Sequence, residues 1–301
     1  MTSIIVGIDL SDNALTAAKW AVGLAQLVEG SQVRFVQVFT NDEFELRQTI
    51  SDNDAKREVE DSRRAIEAWL GDIDTDGIEY DIDIYVGRRT DKIREAVEKW
   101  NARWLVLGKS GRGRLSKFFV GSTAERLAFD PPCPVVLVHP DTDQWKEPLN
   151  VVSAVDLGES SSRAAALAGD LVRRHGGDFQ LVHIISLPQG SPPIVTGPTS
   201  LPETLTAYLD ETRSWAHREL KTLIAQYDLP VEEVADVEIR PGYPIAEILD
   251  ATESAQANLL TIGSHGRSRV VEFIMGDVGR SLVKRAPSTI LITPAVDAAD
   301  E

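Results

Sequence analysis

Apolar residues recur along this chain in short runs. In the first half the runs cover 3–9, 33–39, 80–86, 103–108 and 134–139, and amphipathic helical spacing fills the stretches near 13–28, 54–70, 91–101 and 116–128. The second half has its own runs near 149–155, 179–185, 235–241, 258–263 and 288–293. Strands apolar on both faces, alternating with helices, predict parallel sheets covered by helices on either side. Right-handed crossovers leave few topologies, and ligands then sit at the carboxyl ends of strands near the switch point. Two five-stranded, doubly wound α/β sheets are expected.

The halves are copies of each other. Ser3–Asp12 (SIIVGIDLSD) is echoed by Asn150–Glu159 (NVVSAVDLGE), and Trp104–Gly111 (WLVLGKSG) by Leu259–Gly266 (LLTIGSHG). The endings also match, Pro134–Pro140 (PVVLVHP) with Ser288–Pro294 (STILITP). The offset is 147 residues between Asp9 and Asp156 and 155 between Gly108 and Gly263, so the second copy carries eight more residues. The Pro/Gly/Ser/Thr-rich stretch Pro188–Pro202 has no periodicity and is the expected place for them, as a mobile surface loop. Domains are expected at 1–143 and 147–301, joined through the short, polar stretch Asp141–Pro148.

Composition narrows the class. At 301 residues, 43% hydrophobic and 26% charged, the chain can build two ordinary globular cores. No apolar run approaches the roughly 20 residues of a membrane-spanning helix, so no membrane insertion is expected. The opening residues enter a strand pattern without a basic leader, so no signal peptide is expected. A lone Cys133 cannot form an internal disulfide and suits a reducing compartment, giving a cytoplasmic expectation. A net charge of −16 repels nucleic-acid backbones and anionic lipid surfaces. Any bound anion must therefore meet a local exception to that charge.

Such an exception follows the fourth strand. Gly108 and Gly111, then after nine residues Gly121, Ser122 and Thr123, accompany Lys109, Arg112, Arg114 and Lys117, with no acidic residue from 108 to 124. Glycines admit backbone conformations closed to other residues and let the chain approach a ligand closely. Backbone N–H groups in such a loop, beside a helix N-terminus, form an anion nest, and two hydroxyls add donors. The pattern reads as a phosphate-binding loop. It is not a Walker motif, because Arg103 stands where the earlier glycine would be needed. Neither half has a Gly-x-Gly-x-x-Gly fingerprint after its first strand, which argues against a dinucleotide fold.

This Gly-x2-Gly-x9-Gly-Ser spacing after strand four, with Asp9 ending strand one, resembles the universal stress protein family in its tandem form. The resemblance covers almost the whole chain. It implies Rossmann-like sheets of order 3-2-1-4-5, related by a pseudo-twofold axis, and ATP as ligand, with Mg2+ held through the phosphates. By the same resemblance Asp9 contacts the adenosine and Val38 the adenine region. Gly108 and Gly111 line ribose and phosphates, with Lys109 and Arg112 beside them, while Gly121, Ser122 and Thr123 hold the phosphates. A homodimer is also implied. From the residues alone, Asp9 equally suits a turn or helix cap, and Val38 equally suits core packing.

The second copy keeps Asp156, Ile184 in place of Val38, Gly263, Gly266 and Gly276. Asp277, however, replaces the Ser or Thr of the pattern, removing a donor and setting a carboxylate beside any phosphate. Nucleotide is thus expected mainly in the first half. The histidines His139, His175, His183, His217 and His265 have no zinc-like spacing, so no metal site is expected. Cys133 reads as a small buried residue, and no catalytic residue is assigned. The leading expectation is an ATP-binding regulatory protein of the stress-response type. A slow ATPase or nucleotide-dependent transferase is one alternative; an interaction protein with an empty or non-nucleotide pocket is another.

Overall fold

Most of the apolar runs are strands buried on both faces, as at 33–39, 104–107, 135–138, 151–154, 259–262 and 289–293, whereas the runs at 79–86 and 238–242 are half-buried or exposed along most of their length. The computed structural model describes residues 2–51, 55–71, 73–75, 77–109, 120–142, 145, 148–187, 203–231, 237–264 and 275–294. It divides into two compact units, Met1–Glu147 and Pro148–Glu301.

The first unit runs β1 (Thr2–Ile8), α1 (Asp12–Leu27), β2 (Ser31–Phe39), α2 (Asn41–Ser51), α3 (Ala55–Leu70), β3 (Glu79–Val86), α4 (Arg89–Lys99), β4 (Trp104–Gly108), α5 (Ser122–Phe129) and β5 (Val135–Val138). Its strand order is β3-β2-β1-β4-β5, with parallel pairing in register Ile4 to Val33, Ile4 to Trp104, Gln32 to Glu79 and Leu105 to Val135. Ile4, Ile5, Val6, Leu105, Val106 and Val135 to Val138 are fully buried. The order reverses between β1 and β4, and the carboxyl ends of these neighbours open the crevice that such sheets use for ligands.

The second unit runs β6 (Val151–Ala154), α6 (Glu159–His175), β7 (Phe179–Ser186), α7 (Glu203–Tyr227), β8 (Glu238–Gly242), α8 (Pro244–Ser254), β9 (Leu259–Gly263), α9 (Asp277–Arg285) and β10 (Thr289–Thr293). Its order, β8-β7-β6-β9-β10, is the same topology. Ala216, Leu220 and Leu223 of α7 share a buried cluster with Leu181 of β7 and with Leu229 and Val237.

Backbone conformation repeats along with sequence. Leu10 (φ 60°) and Leu157 (φ 65°) hold the left-handed region just after the first strand of each unit, at the 147-residue offset. Asn101 (φ 45°) and Gln256 (φ 48°) do so after α4 and α8, at the 155-residue offset. For leucine this region is costly, so its recurrence marks a turn that each fold enforces. The joint is anchored to the first unit: Trp145 Nε1 donates to the Trp20 carbonyl at 2.8 Å, and the two indoles lie 5.3 Å apart.

Two differences from the hydropathy pattern matter for the site. Helix α2 lies in a segment with no clear apolar stripe. Helix α5 starts at Ser122 rather than near 116, with 116–119 outside the described residues. The stretch Pro188–Pro202 also lies outside them. Among the described residues no helix is long and apolar enough to cross a membrane.

Candidate functional site

At the carboxyl edge of the first sheet, a cavity of about 590 Å3 gathers residues from the ends of β1, β2 and β4 and from the first turns of α4 and α5. Asp9, Val38, Gly108, Gly121, Ser122 and Thr123 all line it, although they are far apart in sequence. Gly111 and Arg112, like Arg114 and Lys117, lie outside the described residues.

Asp9 is fixed by the turn it makes. Its Oδ1 accepts from the Ser11 N–H at 3.1 Å and the Ser11 hydroxyl at 2.5 Å, and Ser11 Oγ in turn caps α1 through the Ala14 N–H at 3.2 Å. The turn role and the cavity-lining position therefore coexist. Asp156 is held alike, accepting from the Gly158 N–H at 3.0 Å and the Ser161 hydroxyl at 2.5 Å.

Gly108 is required by packing. A Cβ there would lie 2.9 Å from the Asn13 carbonyl oxygen, so α1 presses its first turn directly on the end of β4. Gly263 meets the same constraint, since a Cβ there would collide with Ser160 Oγ and lie 2.6 Å from the Ser161 nitrogen. The close approach that these glycines permit is between helix and strand.

Helix α5 supplies the donors. Gly121 is its N-cap and makes no side-chain cap, while its own N–H donates to the Lys109 carbonyl at 2.9 Å. The N–H groups of the first turn, at Ser122, Thr123 and Ala124, lack intrahelical acceptors, and these three residues line the cavity. Such N–H groups and the positive end of the helix dipole favour an anion there.

Lys109 departs from the sequence expectation of a cation beside a phosphate. Only 1% of it is exposed, it is not among the cavity-lining residues, and burial lowers its pKa to about 8. Its N–H donates to the Val138 carbonyl at 2.9 Å, which pins the start of the loop.

Sequence reasoning missed the opposite wall. There α2 begins with a reciprocal cap: Thr40 N–H donates to Glu43 Oε2 at 2.8 Å, and Glu43 N–H donates to Thr40 Oγ1 at 3.3 Å. The other Glu43 oxygen accepts from Arg89 Nη2 of α4 at 2.5 Å, joining α2 to α4 beside the cavity. Partial burial opposes the Glu43 charge, but the Thr40 N–H and the Arg89 guanidinium outweigh it and hold its pKa below the ordinary value. Arg47 pairs with Glu58 at 3.1 Å and lies 4.7 Å over the Phe39 ring. Val36, Val38, Phe39 and Ile93 make the wall apolar. The Thr40-x-x-Glu43 spacing is the signal by which α2 was findable.

In the second unit the assigned residues take matching places. Asp156 follows β6, Gly263 ends β9, and Gly276 caps α9. Ile184 pairs with Arg240 as Val38 pairs with Tyr85, which makes it the counterpart of Val38 in register as well as in sequence. Asp277 is the first residue of α9, as Ser122 is of α5. Gly266 and His265 lie outside the described residues.

With this geometry in place, comparison with known proteins gives a consistent result. The model of the universal stress protein family matches residues 1–139 and 149–294. A universal stress protein of Mycolicibacterium smegmatis is 26% identical over 96% of both chains. A universal stress protein of Mycobacterium tuberculosis is 27% identical over 64% of this chain and 61% of its own length. Among solved structures, a universal stress protein from Archaeoglobus fulgidus superposes with a TM-score of 0.67 at 20% identity, covering 97% of this chain and 98% of that one. At that identity the likeness bears on the fold alone.

Proposed function

The chain belongs to the universal stress protein family, and on that premise we propose that its first unit binds ATP as the signal of a stress-response regulatory protein. The observation that carries this reading is the cavity in which Asp9, Val38, Gly108, Gly121, Ser122 and Thr123 meet. Its volume, about 590 Å3, is in the ordinary range for small-molecule sites. Its two ends differ in chemistry, as a nucleotide requires. The start of α5 offers helix-terminal N–H groups and two hydroxyls to phosphates, while Val36, Val38, Phe39 and Ile93 offer an apolar wall to a base. Asp9, between them at the end of β1, is an acceptor suited to ribose hydroxyls. Mg2+ enters with the nucleotide, held by phosphate oxygens. The second unit binds ATP more weakly, because Asp277 opens α9 with a carboxylate where α5 has Ser122.

The role proposed is binding, with ATP occupancy altering what the protein contacts. Mass spectrometry of material released by denaturing freshly purified protein tests it, together with the rise in melting temperature on adding ATP. Adenine nucleotide in the extract, or an ATP-dependent rise, is expected. A different ligand in the extract, with no thermal response to ATP, refutes the reading and favours a non-nucleotide pocket. Product formed in a single-turnover assay would convert the binder into a slow ATPase or transferase. By family analogy we also propose a cytoplasmic homodimer, for which sedimentation equilibrium should show species of twice 33.0 kDa.

A further inference from the structure

Strand β3 is an outer edge of the first sheet: among the described residues no strand lies beyond it. Such an edge presents a row of backbone N–H and C=O groups to which a strand of another chain can pair. Which residues turn outward follows from the pairing with β2. The N–H of Gly87, next after β3, donates to the Phe39 carbonyl of β2 at 2.8 Å. Backbone groups alternate sides along a strand. Those of Asp81, Asp83 and Tyr85 therefore also face β2, and those of Tyr80, Ile82 and Ile84 face the free edge.

The central residue of that outward row is already occupied. The Ile82 N–H donates to Asp81 Oδ1 at 2.8 Å, and the Ile82 carbonyl accepts from Arg63 Nη2 of α3 at 2.6 Å. Arg63 Nη1 lies 3.7 Å from Asp81 Oδ1, and Asp81 Oδ2 pairs with the buried Arg34 at 3.1 Å, so the two capping side chains hold each other in place. Ile82 is only 2% exposed although it lies on an edge strand, while the Asp81 and Arg63 side chains that cover it are 49% and 43% exposed. Partial burial opposes the Asp81 charge, but the Ile82 N–H and the Arg34 and Arg63 guanidiniums outweigh it and hold its pKa below the ordinary value. Charge adds a second barrier. Strand β3 carries Glu79, Asp81 and Asp83 and no cation, so two copies of it laid side by side bring like charges together.

The second unit blunts its matching edge by other means. Its outer strand β8 contains Pro241, which has no N–H to offer. The neighbouring Gly242 carbonyl accepts from the Leu187 N–H on the β7 side at 3.4 Å, which leaves Pro241 on the free side. Unrelated residues thus interrupt the same edge in both units.

We infer that Asp81 and Arg63 form a guard on β3 that keeps the first sheet from pairing with β3 of a second copy of this chain. The homodimer proposed above then forms through another surface, and the guard is independent of the ATP reading. Sedimentation velocity of the full chain over a micromolar concentration series, with residue-resolved amide hydrogen exchange, tests it. In the wild type the Ile82 amide should exchange more slowly than those of Tyr80 and Ile84, and no species larger than a dimer should form. Arg63→Ala/Asp81→Ala should form larger species, with self-association at least about tenfold tighter than in the wild type. Its Tyr80 and Ile84 amides should slow as concentration rises. Arg63→Ala alone leaves the Arg34–Asp81 pair intact and should show a smaller effect of the same kind, which decides the matter if the double variant does not fold. Larger species without slowing of those amides place the association elsewhere and overturn the inference. So does a folded double variant that sediments like the wild type, or a wild-type Ile82 amide that exchanges as fast as its two outward neighbours.

Discussion

Replacing Ser122 by Asp gives the first unit the residue that the second unit carries at Asp277, and it separates stability from ligand binding. Ser122 is the first residue of α5, and Gly121 before it provides no side-chain cap. A carboxylate at that position meets the positive end of the helix, which favours the fold by about 0.3–1 kcal/mol. The same carboxylate opposes a bound phosphate. Two unit charges about 5 Å apart, at an effective dielectric near 20, repel by roughly 3 kcal/mol. Loss of the hydroxyl donor adds about 1 kcal/mol, and solvent at this partly exposed position takes part of the sum back. A net loss of about 2–4 kcal/mol corresponds to roughly 30- to 900-fold weaker ATP binding. Thermal melts with and without ATP read both effects. The ligand-free variant should melt at or slightly above the wild type, and the ATP-dependent rise should largely disappear. An unchanged rise in the Ser122→Asp variant would refute the assignment of phosphates to α5. A lower ligand-free melting temperature would refute the helix-terminus argument.

Gly108→Ala and Gly263→Ala should each cost about 1–3 kcal/mol in urea melts, because the new Cβ meets the first turn of α1 or α6. Gly276→Ala, whose Cβ meets open space, should cost less than about 1 kcal/mol, and equal losses at all three positions would contradict the packing argument. Glu43 has a lowered pKa when folded, so its contribution is whole above its ordinary value of 4.5 and fades as pH falls through the lowered one. Wild type and Glu43→Gln should therefore differ in stability near neutrality and converge in acid, and a gap independent of pH would refute the pairing with Arg89 and Thr40. Burial pushes the Cys133 thiol up to about 12, against a smaller opposing pull from Arg94, so at pH 8 only ~0.01% is thiolate. Cys133 should react with a thiol reagent only on unfolding; prompt labelling of the native protein would contradict its burial.

Much of the fold was legible because the inner strands are apolar on both faces, a pattern that points to a parallel α/β sheet. The repeat then located the switch point twice, at Asp9 with Gly108 and at Asp156 with Gly263. What hydropathy did not show is polar or locally encoded. Helix α2 is specified by the Thr40–Glu43 cap and a partly buried Phe44 rather than by an apolar stripe. Arg34 and Gln37 sit inside an otherwise apolar run of β2, where isolated polar residues carry no periodic signal. Arg89 becomes part of the site only because α4 begins beside β2. Lys109 looked like one more cation in a basic loop, but its place between β4 and the Gly121 N–H turns it inward. The glycines read as room for a ligand also make room, at Gly108 and Gly263, for a helix.

The central claim is that one unit of the two holds the nucleotide, and calorimetric titration of ATP into the full 301-residue chain tests it most directly. The account predicts one tight site per chain, with any second binding event at least about tenfold weaker. Two equivalent sites per chain, or no heat of binding at millimolar ATP, would contradict it.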